Sequence, residues 1–198
     1  GTVSGGDLLT DACSTSVPFL GGWAHAGMVA SAWQVVRTQM APAARALACH
    51  PGYRLLLTGH SMGAGVAACL AMLVRSNDAD ILAAANQGLA EARRVDGASA
   101  AAVAAAIAAV VSAQCQCFAA PSVCSLDLSV AAREYTTSVV AGKDVIPRLC
   151  YASVRRLLRR LNSAAPSQPV MRAISNALGG RDKHFGSSGS LSRAGGGR

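Results

Sequence analysis

Tyr53-Arg-Leu-Leu-Leu-Thr-Gly-His-Ser-Met-Gly-Ala-Gly65 decides the fold. The turn signal Pro51-Gly52 precedes it. The short apolar run over 53–58 reads as a buried strand, and the small, apolar residues over 63–75 read as a helix. Between them stands G-x-S-x-G, as Gly59, His60, Ser61, Met62 and Gly63. A serine set on a sharp strand-to-helix turn holds its hydroxyl clear of the sheet. Glycines on either side are expected to let the two backbones approach without Cβ clashes. The helix start then points partial positive charge at any oxyanion formed there, with the Met62 N–H as one donor. Ser61 is therefore the candidate nucleophile. His60 is its sequence neighbour, but an elbow turns adjacent side chains apart, so His60 reads as a packing residue rather than a base.

Outward from the elbow, strand-like and helix-like stretches alternate. Residues 1–22, rich in Gly, Ser, Thr and Asp, read as a loop with a short helix near 7–11. Residues 26–48 read as helical, with Val29, Trp33, Val36, Met40 and Leu47 as the apolar positions; Pro42 either starts a second segment or kinks the first. The alanine-heavy stretch 76–114 reads as helical with a break near Asp96-Gly97, and as an insertion between strands. Further strands are expected at 115–119 and 136–141, with a helix at 126–134 and an amphipathic helix at 154–162. Glycine, serine and arginine dominate from Gly179, where disorder is expected. The alternation indicates an α/β architecture with a largely parallel sheet flanked by helices.

A serine nucleophile needs a later carboxylate and a histidine. Asp144 follows a strand and the turn Gly142-Lys143, in the place where an acid that orients the histidine would stand. Asp127 is its competitor, read as a helix-start carboxylate. Only His184 follows Asp144, in a polar, glycine-rich setting with no strand before it. The expected base therefore lies beyond Arg198, with His184 as the weaker candidate. His25 and His50 precede the serine and break the expected order.

Composition narrows the field. The 198 residues are 52% hydrophobic and carry a net charge of +8, with only 4% aromatic residues. A basic balance suits nucleic acid, anionic lipid or acidic partners, but no zinc-finger spacing or RNA-recognition motif is present, so no nucleic-acid partner is expected. The seven cysteines form no C-x-x-C pair and read mainly as reduced, buried thiols; disulfide and metal roles are the alternatives. No zinc site and no cofactor are expected. The apolar stretch 98–113 is shorter than the ~20 residues a membrane span needs. Arg155, Arg156, Arg159 and Arg160 fall on one helical face, with Leu157, Leu158 and Leu161 on another. That pattern reads either as a solvated face over a packed stripe or as a contact with anionic lipid.

Several motifs together resemble the class 3, or fungal-type, lipases, and most of all the sn-1-specific diacylglycerol lipases. Gly1-Thr2 and Asp7-Leu-Leu-Thr-Asp11 resemble the family's R-G-T and D-x-x-T-D segments. Gly22-Trp-Ala-His-Ala-Gly-Met28 resembles W-x-H-x-G-M, and Val140-Ala-Gly-Lys-Asp-Val-Ile-Pro-Arg148 resembles G-K-D-[LV]-[VI]-P-R. The elbow fits G-H-S-[LM]-G-A-G. The resemblance implies an α/β-hydrolase fold, C-terminally incomplete, with a core over 1–162, the insertion at 76–114 and a poorly ordered tail at 163–198. It implies Thr2 and Met62 as the oxyanion hole, Ser61 and Asp144 as catalytic residues, and glycerolipid ester hydrolysis through an acyl-enzyme. Reduced thiols point to a cytosolic compartment, so the expected location is cytoplasmic or on the cytosolic side of a membrane. A small-ester esterase and a catalytically dead lipid-binding or signalling module are the alternatives.

Overall fold

The computed structural model describes residues 16–148 together with Ser153, Arg156 and Arg160. The expected helices near 7–11 and over 154–162, the tail at 163–198, Cys13 and Cys150 lie outside the described residues, apart from those three positions. Strands β1 (Ser16–Phe19) and β2 (Gly22–His25) pair antiparallel. Helix α1 (Ala26–Cys49), strand β3 (Leu56–His60) and helix α2 (Met62–Arg75) follow. Helices α3 (Ala79–Val95) and α4 (Ala100–Val111) lead to strand β4 (Gln114–Phe118). Helix α5 (Leu126–Ala131) continues into a 3₁₀ turn at Ala132–Glu134, strand β5 (Thr136–Val139) and a second 3₁₀ turn at Ile146–Arg148.

β3, β4 and β5 form a parallel three-stranded sheet in that order, with His60 opposite Phe118 and Phe118 opposite Val139. All three strands therefore end on the same edge. The α/β architecture with a parallel sheet and flanking helices is as expected, but the sheet is covered on one face only among the described residues. Cys115 and Cys117 point into the core beneath α2, whereas Leu56, Thr58, Gln116, Phe118, Thr137 and Val139 are exposed. The strand expected to be buried at 53–58 starts three residues later, because the ladder with β4 begins at Leu56↔Gln114, and among the described residues it is an edge strand.

α2 is the centre of the molecule. Ten of its fourteen residues are buried, and none but Arg75 at its end is charged. A helix that is apolar all round must be enclosed, and α2 lies between the sheet and the helices α1 and α4. α1 runs unbroken through Pro42, which resolves the two readings of that proline in favour of one helix. Its buried stripe is Met28, Ala32, Val36, Met40, Ala44 and Ala48, spaced by four. This differs from the stripe of large residues read in the sequence: Val29, Trp33 and Leu47 are only partly buried. Helix α3 also approaches α1 closely: a Cβ on Gly88 would stand 2.6 Å from the carbonyl carbon of Ala41, so a glycine is required there.

The alanine-heavy stretch forms α3 and α4, broken where expected. Gly97 takes φ 70°, and the Ala98 N–H bonds the Ala92 carbonyl at 3.1 Å, a glycine-terminated helix end. Ile81, Leu89, Ala106 and Val110 place this stretch in the main core. The β1–β2 hairpin is a correction, since the segment reads as a loop in sequence. Its two-residue turn has positive φ at both Leu20 (46°) and Gly21 (82°), and a leucine there gives no turn signal. The helix expected over 126–134 is α only to Ala131.

Candidate active site

The elbow is built as the chemistry requires. Ser61 has φ 54° and ψ −123°, a strained conformation for a non-glycine residue. Neighbouring bonds hold it there. Its N–H donates to the Phe118 carbonyl of β4 at 2.9 Å, and its carbonyl accepts from Ala64 and Gly65 N–H at 3.0 and 3.2 Å. Ser61 is also the N-cap of α2, yet its hydroxyl makes no capping bond. At the N-caps His25, Asp78 and Ser99 the side chain accepts from its own helix, whereas Ser125 at the start of α5, like Ser61, makes no capping bond. The Ser61 hydroxyl is thus not engaged by the start of α2. Met62, the first helical residue, carries one of the N–H groups that have no intrahelical acceptor, and it lies half-exposed beside the serine.

The two motif glycines differ. A Cβ on Gly59 would stand 2.7 Å from Ala64 N and closer still to the Gly63 carbonyl, so strand and helix meet only because Gly59 has no side chain. Gly63 has nothing within 4 Å of such a Cβ, which corrects the expectation that both glycines relieve a clash. His60 is exposed at the sheet edge rather than packed, because its side chain alternates to the uncovered face. A thiol supports the turn from below: Cys117 Sγ donates to the Ala64 carbonyl at 3.3 Å and lies 3.5 Å from Cys115 Sγ. The described cysteines 49, 69, 115, 117 and 124 are free thiols, and burial pushes the Cys69 thiol up to about 12. Among the described residues, no group of three or more His, Cys, Asp or Glu side chains could hold a metal ion.

Asp144 stands on the loop after β5, at the same sheet edge as Ser61 and with β4 between them. Two strand spacings put the strand ends about 10 Å apart, a gap for one imidazole reached by a side chain from each end. The loop is tightly made. Asp144 N–H donates to the Ala141 carbonyl at 3.0 Å, and Asp144 Oδ1 accepts from Ile146 N–H at 3.0 Å. Arg148 Nη1 donates to the Asp144 carbonyl, and Arg148 Nη2 to that of Gly142 at 3.4 Å. Among the described residues, no group pairs with Asp144 Oδ2. Asp127 is exposed in the first turn of α5, as a helix-start carboxylate should be. Thr2 and His184 lie outside the described residues, as do Arg155 and Arg159. Arg156 and Arg160 are helical and exposed.

Sequence reasoning missed a pocket beside the elbow. It holds about 360 Å³ between the start of α1 and the start of α2, and its lining includes His25, Met28, Ser31, Met62, Gly63 and Val66. His25 is buried and caps α1, its Nδ1 accepting from Met28 N–H at 3.3 Å. The only sequence signal for this wall was the Gly22–Met28 segment. A larger cavity of about 560 Å³ lies between α2 and β5 and does not touch Ser61. Thr136 lines it, and among the described residues its buried Oγ1 has no hydrogen-bond partner.

Comparison with curated proteins gives no match. Two solved structures are similar in shape. A lipase from Rhizopus microsporus var. chinensis is 18% identical with a TM-score of 0.47; the match covers 69% of this chain and 40% of that one. Lipase II from Rhizopus niveus is 17% identical, also with a TM-score of 0.47, over 68% of this chain and 43% of that one. The chain thus spans about two fifths of the length of the solved lipases it matches. Residues 1–89, which contain the elbow, match the family model of the class 3 lipases.

Proposed function

We propose that the protein is a class 3 lipase of the serine type, acting on acyl esters of glycerolipids, with diacylglycerol as the favoured class. The observation that carries this reading is the backbone of Ser61, strained at φ 54° between a parallel strand and a buried helix. The class 3 lipase match over residues 1–89 and the lipase names of the two structural relatives agree with it. Ser61 Oγ attacks the acyl carbonyl carbon while a histidine takes its proton. Asp144 Oδ2 holds that histidine in the correct tautomer and stabilises the imidazolium. The oxyanion accepts hydrogen bonds from the Met62 N–H and from Thr2. Collapse expels the glyceride alcohol, which receives the proton from the histidine. Water, deprotonated by the same histidine, then releases the fatty acid.

Exposed Arg156 and Arg160, with Arg155 and Arg159 in the same periodic run, supply a basic face for an anionic lipid surface on the cytosolic side of a membrane. The test is turnover of diacylglycerol in mixed micelles and of a soluble short ester by the full-length protein and its Ser61→Ala variant. Fatty-acid release from diacylglycerol that disappears in the variant is the expected result. Turnover of the soluble ester alone would indicate an esterase. Loss of both activities in the parent would indicate a dead module.

A further inference from the structure

We infer that Cys115 and Cys117 are an oxidation site, where a peroxide joins the two thiols in a disulfide that reversibly slows acylation of Ser61. The effect on Ser61 rests on the serine-hydrolase reading above; the oxidation of the pair does not. Alternation along β4 puts both side chains on its buried face, beneath α2. Their sulfurs lie 3.5 Å apart, and Cys117 Sγ donates to the Ala64 carbonyl at 3.3 Å. With the Cys117 proton on that carbonyl, the Cys115 S–H donates to the Cys117 sulfur. This bond holds the Cys117 thiol below its ordinary value, and the same bond, with burial, raises that of Cys115. Burial raises Cys69 and Cys124 as well. Cys117 is thus the most readily ionised of the four, and the thiolate is the form that attacks a peroxide. Cys117 is only 1% exposed, but it lines the cavity of about 560 Å³ between α2 and β5. A hydrogen peroxide molecule needs the room of about two waters, roughly 60 Å³.

The Cys117 sulfur attacks one peroxide oxygen, the O–O bond breaks, and the hydroxide that leaves takes up the thiol proton as water. The Cys115 sulfur then attacks the resulting sulfenic acid at Cys117 Sγ. The S–O bond breaks, and the hydroxyl departs as water with the Cys115 proton. Two thiols and one peroxide give one disulfide and two waters. The Ala64 carbonyl loses its thiol donor. The sulfurs close from 3.5 Å to the ~2 Å of a bond. Residues two apart on a strand have Cα atoms about 6.6 Å apart, near the upper limit for a disulfide, so β4 has to pucker. Cys117 stands opposite Gly59, and the next carbonyl, that of Phe118, holds the Ser61 N–H at 2.9 Å. The elbow therefore shifts with the disulfide, and a bond strained in this way is readily reduced.

The test exposes the full-length protein to hydrogen peroxide and then measures fluorophosphonate labelling of Ser61, with and without dithiothreitol. Free thiols are alkylated, and cleavage by chymotrypsin after Phe118 separates the pair from Cys124. Labelling should fall at least tenfold and return on reduction. The peptide carrying Cys115 and Cys117 should be lighter by two hydrogens and take up no alkylating agent. Cys115→Ala removes the hydrogen bond that favours the Cys117 thiolate, so it should keep its labelling rate through the same exposure. A pair still reduced when labelling is lost overturns the inference, as does a disulfide from Cys117 to Cys124 or Cys69. So does a Cys115–Cys117 disulfide that leaves labelling unchanged, or an equal loss in Cys115→Ala, which would trace to another residue such as Met62. If the reduced wild type is never labelled at Ser61, the hydrolase reading fails and the regulation with it, while the peptide mass still decides the oxidation of the pair.

Discussion

Gly59→Ala should damage the elbow far more than a single methyl group suggests. The new Cβ would stand 2.7 Å from Ala64 N, with the carbonyl carbon and oxygen of Gly63 nearer still. All three are backbone atoms at the start of α2, so no side chain can rotate away. Bringing Ala64 N to the 3.4 Å of ordinary contact moves the first turn of α2 back by about 0.7 Å, and relieving the Gly63 carbonyl requires more. The core resists this, because α2 is buried from Ala64 to Val74 apart from the half-buried Val66, and Ser61 is tied to Phe118 at 2.9 Å. Overpacking of this kind costs about 1–3 kcal/mol of stability. The same displacement carries the Met62 N–H away from the oxyanion, and a misplacement of about 1 Å costs on the order of 10²-fold in rate. Urea denaturation gives the first number and the labelling rate of Ser61 by a fluorophosphonate gives the second. Gly63→Ala is the control, since its Cβ would enter open space. If Gly59→Ala matched the wild type in both assays, or Gly63→Ala were the worse of the two for stability, the reasoning from close approach would be refuted.

Asp144→Asn should lower kcat by about 10⁴-fold, the scale seen when a triad carboxylate in a serine protease is made an amide. The fold should survive, because the asparagine Oδ1 can still accept from Ile146 N–H; kcat and thermal unfolding measured together check both halves of the statement. Burial, with smaller contributions from nearby Cys124 and Cys117, raises the Cys69 thiol from 9.0 to about 12. A raised thiol pKa stabilises the fold below the unfolded-state value and loses that contribution as pH rises through the folded one. Stability should therefore decline between about pH 9 and 12, by at most about 4 kcal/mol from this group. Unfolding temperatures recorded from pH 7 to 11.5 should fall less steeply in Cys69→Ala.

What the sequence made legible was the part fixed by local rules. The strand–serine–helix elbow, the helix break at Asp96-Gly97 and the Asp144 loop each carry their own turn or motif signal, and all three stand where the residues put them. The hairpin was not legible, because its turn uses Leu20 at positive φ, a cost that tertiary contacts offset. Neither was the true buried stripe of α1. Large residues mark an apolar face in sequence, but half of the buried stripe of α1 is alanine, at Ala32, Ala44 and Ala48. The different duties of Gly59 and Gly63 are likewise a matter of which backbone passes behind them, and spacing within a motif holds no information on that. The pocket beside the elbow is a property of two helix starts 36 residues apart, brought together only in three dimensions.

The most direct test of the account is covalent labelling of the full-length protein with a fluorophosphonate, followed by peptide mapping of the modified residue. The account predicts one adduct, on Ser61, absent in Ser61→Ala and greatly slowed in Asp144→Asn. Labelling that persists in Ser61→Ala, with the adduct mapped to another residue, would contradict it.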